Sequence, residues 1–150
     1  MPNWCQGTLK IRGEKEDIVN FLKNGITSVG VVGDLYESII EDNKLFLTVT
    51  STHTDFYVNN TTRGFIIQDK IYYDYDSNFL ALHFRQAWDI DAQELSKISK
   101  TYHLDFKIYA FERGAEFNRD IEIHKGNIIR DKVIHFDDYN WECICPYIGG

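Results

Sequence analysis

A chain of 150 residues that is 43% hydrophobic and 15% aromatic is too apolar to remain disordered, and it carries enough apolar side chain to build one domain core. Its 23 acidic and 16 basic residues give a formal net charge of −7, which disfavours a protein that grips duplex DNA by neutralising phosphates. The charge is uneven: residues 1–33 sum to +1, 34–80 to −5, 81–110 to zero and 111–150 to −3.

The opening MPNWCQGTLK lacks the basic start and apolar run of a secretory leader. No apolar stretch reaches the roughly 18 residues a membrane span needs, so no membrane association is expected and the expected compartment is the cytoplasm of a host cell. Residues 5–12 read as a strand ending at Gly13. The segment 14–24 reads as a short amphipathic helix, with Glu14, Glu16 and Asp17 complementing the dipole of its first turn, Ile18, Val19 and Leu22 as its apolar stripe, and Asn24-Gly25 as its stop. The glycine-punctuated stretch 25–34 reads as a loop with irregular extended parts. Residues 35–41 and 44–51 then form a hairpin about Asp42-Asn43, with Leu45, Leu47 and Val49 on the core face and Phe46, Thr48 and Thr50 on a half-exposed one.

The stretch 52–78 reads as a loop-rich insertion with short ordered pieces, in which IYYDYD at 71–76 alternates aromatic and acidic residues. Ser77-Asn78 turns the chain into a strand at 79–85, whose Phe79, Ala81, His83 and Arg85 share one side. A second helix at 91–101 opens with the capping-box-like pair Asp91 and Glu94 and buries Leu95, Ile98 and Tyr102. Strands follow at 104–111, 116–124 and 128–136, the last two closed by Lys125-Gly126-Asn127 into a C-terminal hairpin. The tail 137–150 is expected to dock with one short strand. This order predicts one α+β domain over 1–150. Its plan is a ferredoxin-like split βαβ sandwich, with two helices on one face of an extended antiparallel sheet.

Three segments carry a family resemblance. The opening MPNWCQGTLKIRGEKEDIVNFL, the central LHFRQAWDID and the stretch YHLDFKIYAFERGAEFNRDIEIHKGNI together resemble the YubB-like ferredoxin-domain proteins of phages and plasmids. Two departures stand out: Asp89-Ile90-Asp91 replaces the Ser-Pro-Pro common in that family after the tryptophan, and the family's Trp-rich central turn is IYYDYD here. The resemblance implies a ferredoxin-like fold and a mobile-element origin, and it implies no chemistry.

Candidate chemistry is sparse. His53, His83, His103, His124 and His135 never fall at metal-ligand spacing, and Gly30-Val31-Val32-Gly33 is neither a P-loop nor a dinucleotide fingerprint, so no cofactor or metal is expected. Cys5, Cys143 and Cys145 are an odd count that reads as free thiols, with a metal site as the lesser alternative. Asp74 and Asp76 could hold Mg²⁺ only with a third ligand. A small nuclease or nucleotide-processing enzyme would draw on His83, Arg85, Glu112 and Asp74. The favoured reading is a binding protein and not an enzyme. Tyr72, Tyr73, Asp74, Tyr75 and Asp76, with Asp137, Asp138 and Glu142, would present carboxylates beside flat apolar surface and dock in the basic groove of a host nucleic-acid-handling defence protein, such as a CRISPR effector. Such an acidic inhibitor would not bind duplex DNA directly. An uncovered sheet face or edge could also make a homodimer.

Overall fold

Side chains alternate along the strand Trp4–Arg12 (β1), with Cys5, Leu9 and Ile11 buried and Thr8, Lys10 and Arg12 exposed. That period of two is what a sheet with one covered and one open face requires. The structure is a computed structural model that describes residues 1–29, 35–41, 44–51 and 55–150, with 35–41 and 44–45 by backbone alone. The expected turn at Asp42-Asn43, the Gly30–Gly33 run and His53 lie outside the described residues.

The helix Lys15–Asn24 (α1) forms where the acidic turn and apolar stripe place it. It buries Ile18, Phe21 and Leu22, with Val19 only partly covered. Ile26–Ser28 (β2), in the stretch expected as a loop with extended parts, is a short strand. Leu35–Glu41 (β3) and Lys44–Thr50 (β4) pair as the expected hairpin, from Leu35 opposite Thr50 to Glu41 opposite Lys44. On the face expected to be half open, Phe46 and Thr50 are partly exposed, whereas Thr48 is 2% exposed and its hydroxyl has no partner among the described residues.

The predicted loop-rich insertion holds three strands: Phe56–Val58 (β5), Gly64–Ile66 (β6) and Lys70–Asp74 (β7). β5 and β6 have three residues each, too few for an alternation to show in the sequence, whereas β7 holds the alternating segment at 71–74. Phe79–Ala87 (β8), Asp105–Glu112 (β9), Phe117–His124 (β10) and Asn127–His135 (β11) match the expected strands within a residue or two, with a bulge between Glu122 and Ile123. The tail differs from expectation. Its ordered element is the helical turn Tyr139–Glu142 (α3), capped by the Asp138 side chain, which accepts from the Trp141 amide.

The strands form an eight-stranded sheet in the order β11-β10-β9-β1-β8-β6-β5-β2 and a three-stranded sheet in the order β3-β4-β7, all with antiparallel neighbours. β8 and β9 flank β1, so the unit that joins them through Ala92–Tyr102 (α2) is a split βαβ with one strand in its gap. The unit β1–α1–β2 is wider, with β8, β6 and β5 between its strands. Both helices lie on one face. Phe21 of α1 meets Tyr102 of α2 edge-on at 5.5 Å and Phe106 of β9 at 5.9 Å. Leu9, Ile11, Leu82, Phe84, Phe106, Ile108, Ile121 and Ile123 face them from the large sheet, and one core runs on to Leu47, Val49, Ile71 and Tyr73 of the small one.

α2 starts as the sequence predicts, with Asp91 accepting from the Gln93 and Glu94 amides. Glu94 does not complete the box. It accepts instead from the Thr62 amide and hydroxyl and from Gln86, while the Asp91 amide turns to Gln86 Oε1. The helix ends with His103 at φ 55°, and the 103 and 104 amides return to Lys100 and Ser99 in the usual left-handed C-terminal pattern. Among the described residues no helix is long and apolar enough to cross a membrane.

Candidate interaction surfaces

The predicted aromatic and acidic stretch is divided by the pleat of β7. Tyr73 is 1% exposed and its hydroxyl donates to the Ser77 carbonyl, so its ring belongs to the core and cannot face a partner. Tyr72 points the other way, half exposed, between Phe46 at 6.4 Å and the Lys70 ammonium at 5.1 Å. Asp74 accepts from the Asp76 amide and so closes the turn after β7. Tyr75 leans on Tyr73 and lies under the Lys15 ammonium at 5.5 Å.

That last contact brings the turn beside the start of α1, where the Gly13 amide also donates to the Asn78 carbonyl at 3.0 Å. Burial raises the Tyr73 pKa, and the charges of Asp74 and Glu16 raise it further. Asp74 and Asp76 therefore share one end of the molecule with the acidic first turn of α1, Glu16 and Asp17, and its cap Glu14. In the sequence those three residues signalled only a helix start, because nothing local told which turn would lie beside them. Asp137, Asp138 and Glu142 sit elsewhere. Asp138 and Glu142 cap α3, and Tyr139 anchors that turn by donating to Asn118 Oδ1 on β10 at 2.8 Å. These residues lie with α3 against β10, whereas the Asp74 turn lies beside the start of α1.

The enzyme candidates are also dispersed. His83 and Arg85 stand on the open face of β8, with Arg85 paired to Asp55 at 3.1 Å. Glu112 is 1% exposed and accepts from the Gly114 and Ala115 amides, both at 2.7 Å, which makes it the clasp of the β9–β10 turn. Asp74 lies at the acidic end. The cysteines do not converge either. Cys5 faces the helices and its thiol pKa is pushed up to about 12, mainly by burial, whereas Cys143 lies across the sheet against Asn118 at 3.4 Å. Among the described residues no three His, Cys, Asp or Glu side chains gather closely enough to hold a metal ion.

Two surfaces escaped the sequence reading. The first is a cleft of about 440 Å³ at the start of α2, lined by Trp88, Asp89, Asp91, Gln93, Arg119 and Asp131. Trp88 lies there with φ 71° and its indole 60% exposed, an uncommon backbone state for a bulky residue. Arg119 is the anchor beneath it. Its guanidinium donates to both Asp89 oxygens at 2.7 Å, to the Ile90 carbonyl at 3.1 Å and to Asp131.

The second is the face of the large sheet opposite α1 and α2, open except where α3 covers Asn118 through Tyr139. Its registers set side chains in rows running across β8, β1, β9, β10 and β11. One row reads Arg85, Gln6, Phe111, Asn118 and Ile134, and the next His83, Thr8, Tyr109, Asp120 and Lys132. Then come Ala81, Lys10, Lys107, Glu122 and Arg130, and finally Phe79, Arg12, Asp105, His124 and Asn127. At one corner Trp4 is stacked beneath Arg85 at 4.2 Å, with Phe65 edge-on at 6.0 Å. Single strands announce alternation, but only pairing registers show that these residues share a face. Comparison of the chain with family models, curated proteins and solved structures finds no match.

Proposed function

We propose that the protein acts by binding, as an acidic accessory protein of a mobile element that docks its anionic end on a basic surface of a host nucleic-acid-handling defence protein, such as a CRISPR effector. The observation that carries this reading is the convergence of Asp74 and Asp76 with Glu14, Glu16 and Asp17 beside the half-buried Tyr75 ring. Carboxylates from two segments held on rigid elements present a fixed field, which speeds encounter with a basic partner and orients it. Dispersal of His83, Arg85, Glu112 and Asp74 removes the geometric basis for the nuclease alternative on those residues.

The resemblance to YubB-like proteins supplies the mobile-element part of this proposal. It also supports reading the β1, β8 and β9 strands with their helices as an elaborated ferredoxin-like unit, widened by β5 and β6. The proposed setting is the host cytoplasm. A homodimer through β2 or β11, the edges of the large sheet, is a further proposal that light scattering decides.

The test is co-expression in cells whose CRISPR or restriction interference is active against a challenge phage. The wild-type chain is expected to restore plating, and Asp74→Asn with Asp76→Asn and Glu16→Gln is expected to lose most of that effect while remaining folded. Intact interference in the presence of the folded wild-type chain would overturn the reading.

A further inference from the structure

We propose that the open face of the large sheet is a binding site for single-stranded RNA, a role that goes beyond docking through the acidic end. The argument begins with an arrangement that is unfavourable for the free protein. Lys10 and Lys107 stand directly opposite each other on β1 and β9, and like charges in that position repel. Lys10 has no ion-pair partner among the described residues.

Lys107 is flanked on its other side by Glu122, but Glu122 is already engaged. It accepts from Arg130 at 2.9 Å and pairs with His124 at 3.1 Å, and the His124 hydrogen bond, aided by Lys107 and Arg130, holds its carboxyl below the usual range. Asp105 is likewise committed to Arg12, at 2.7 Å. Two neighbouring ammonium groups are thus left facing solvent on an otherwise acidic protein. An anion bridging them relieves the repulsion.

The surroundings specify which anion. The two lysines form the floor shared by two adjoining hollows. One is about 290 Å³ and is walled by Thr8, Tyr109, Phe111 and Ile148; the other is about 160 Å³ and is walled by Phe79, Arg12 and His124. Tyr109 and Phe79 are 41% and 47% exposed, so flat rings stand at both ends of the lysine pair.

From the Phe111 row to the Phe79 row the strands rise roughly 20 Å, comparable to the four-stranded platforms on which aromatic side chains stack two or three RNA bases. An acidic peptide would answer the lysines but leave the rings without partners. Gln6, Thr8 and His83 lie along the same trough and make no side-chain hydrogen bond among the described residues. They offer donors and acceptors to a 2′-hydroxyl, the group by which RNA differs from DNA. A duplex cannot expose its base faces to Tyr109 or Phe79, which agrees with the charge argument against duplex binding.

The experiment is fluorescence polarisation with a labelled 12-nucleotide uridine- and adenine-containing RNA, the same sequence as single-stranded DNA, and its duplex. The folded chain is expected to bind the RNA most tightly. Lys10→Gln with Lys107→Gln should lower the slope of log affinity against log salt by roughly 1.4, at about 0.7 for each lost phosphate contact. Tyr109→Leu, which keeps apolar bulk and removes the ring, should weaken binding at least about fivefold. Asp74→Asn with Asp76→Asn should leave RNA affinity unchanged or slightly higher, which separates this site from the acidic end.

Far-ultraviolet circular dichroism confirms folding, and Lys125→Gln, on the β10–β11 turn, serves as a charge-matched control expected to bind like wild type. Absence of RNA binding by the folded wild type overturns the proposal. So does equal affinity for the duplex or for an oligoglutamate peptide, or undiminished binding by both trough variants.

Discussion

Arg119 and Lys107 stand on neighbouring strands of one sheet, on opposite faces, and the protein treats their charges in opposite ways. Arg119 is almost wholly buried, and two carboxylates and the carbonyls of Ile90 and Lys132 take up its donors. Lys107 faces water opposite a second lysine, with its nearest carboxylate already held by Arg130 and His124. A charge that is saturated in the folded chain has its purpose inside the fold. A charge that the fold leaves repelling its neighbour is explained by something outside it. Burial likewise separates Tyr73, sealed in the core, from Tyr109, whose hydroxyl accepts from Asn118 while its ring stands half in solvent on the open face.

The widest separation between the two regions should come from Arg119. Arg119→Ala leaves Asp89 and Asp131 without their cation and opens a void beneath the Trp88 cleft. It should destabilise the protein by about 2–4 kcal/mol, the lower side of what a broken buried pair costs because both carboxylates are partly solvated. The shift of the urea midpoint reads this directly, and an unchanged midpoint would show that the cluster is not structural.

Glu94 offers a smaller and pH-dependent effect. Burial pushes its carboxyl pKa up, but hydrogen bonds from Thr62 and Gln86 outweigh that and leave it below the ordinary value. A carboxylate with a lowered native pKa contributes stability that is complete above its unfolded value and fades as pH falls through the native one. Glu94→Gln should therefore cost about 1–2 kcal/mol near neutral pH. The gap in urea midpoint between variant and wild type should shrink as pH is lowered from about 6 to about 3. A constant gap would locate the effect in packing.

On the open face the sign reverses. Lys10→Gln removes half of a like-charged pair and should stabilise the chain by about 0.2–0.5 kcal/mol in low salt, with the gain vanishing in molar salt. Loss of stability on this substitution would mean that Lys10 has a structural partner. The smallest perturbation is chemical. Cys5, its thiol pKa pushed up to about 12, should resist iodoacetamide in the native protein, while the partly exposed Cys145 reacts first. Mass spectrometry of peptides after brief alkylation orders the three thiols.

Much of this architecture could be read from the sequence because periodic segments are self-announcing. The helices at 15–24 and 92–102 and the strands β1, β8, β9 and β10 of the large sheet show their burial in their spacing. β2, β5 and β6 have three residues each, too few for a period to register, so the sequence shows only loop-rich stretches with short extended pieces and the pairing sets their bounds. The predicted acidic surface depended on distance in space. IYYDYD looked like one exposed patch, yet a strand sends Tyr73 inward, and Glu16 of α1 lies close enough for its charge to act on Tyr73. The Lys10–Lys107 pair is 97 positions apart in sequence, and nothing in either segment signals the other.

Backbone amide NMR most directly tests the claim that unsatisfied charge on the open face marks a binding site. The ¹⁵N-labelled protein would be titrated with the 12-nucleotide RNA. Shift changes are expected to concentrate on Thr8, Lys10, Lys107 and Tyr109 and to spare Glu16, Asp74 and the Arg119 cluster. Changes centred on the helix face or the acidic end, or spread evenly over the molecule, would contradict it.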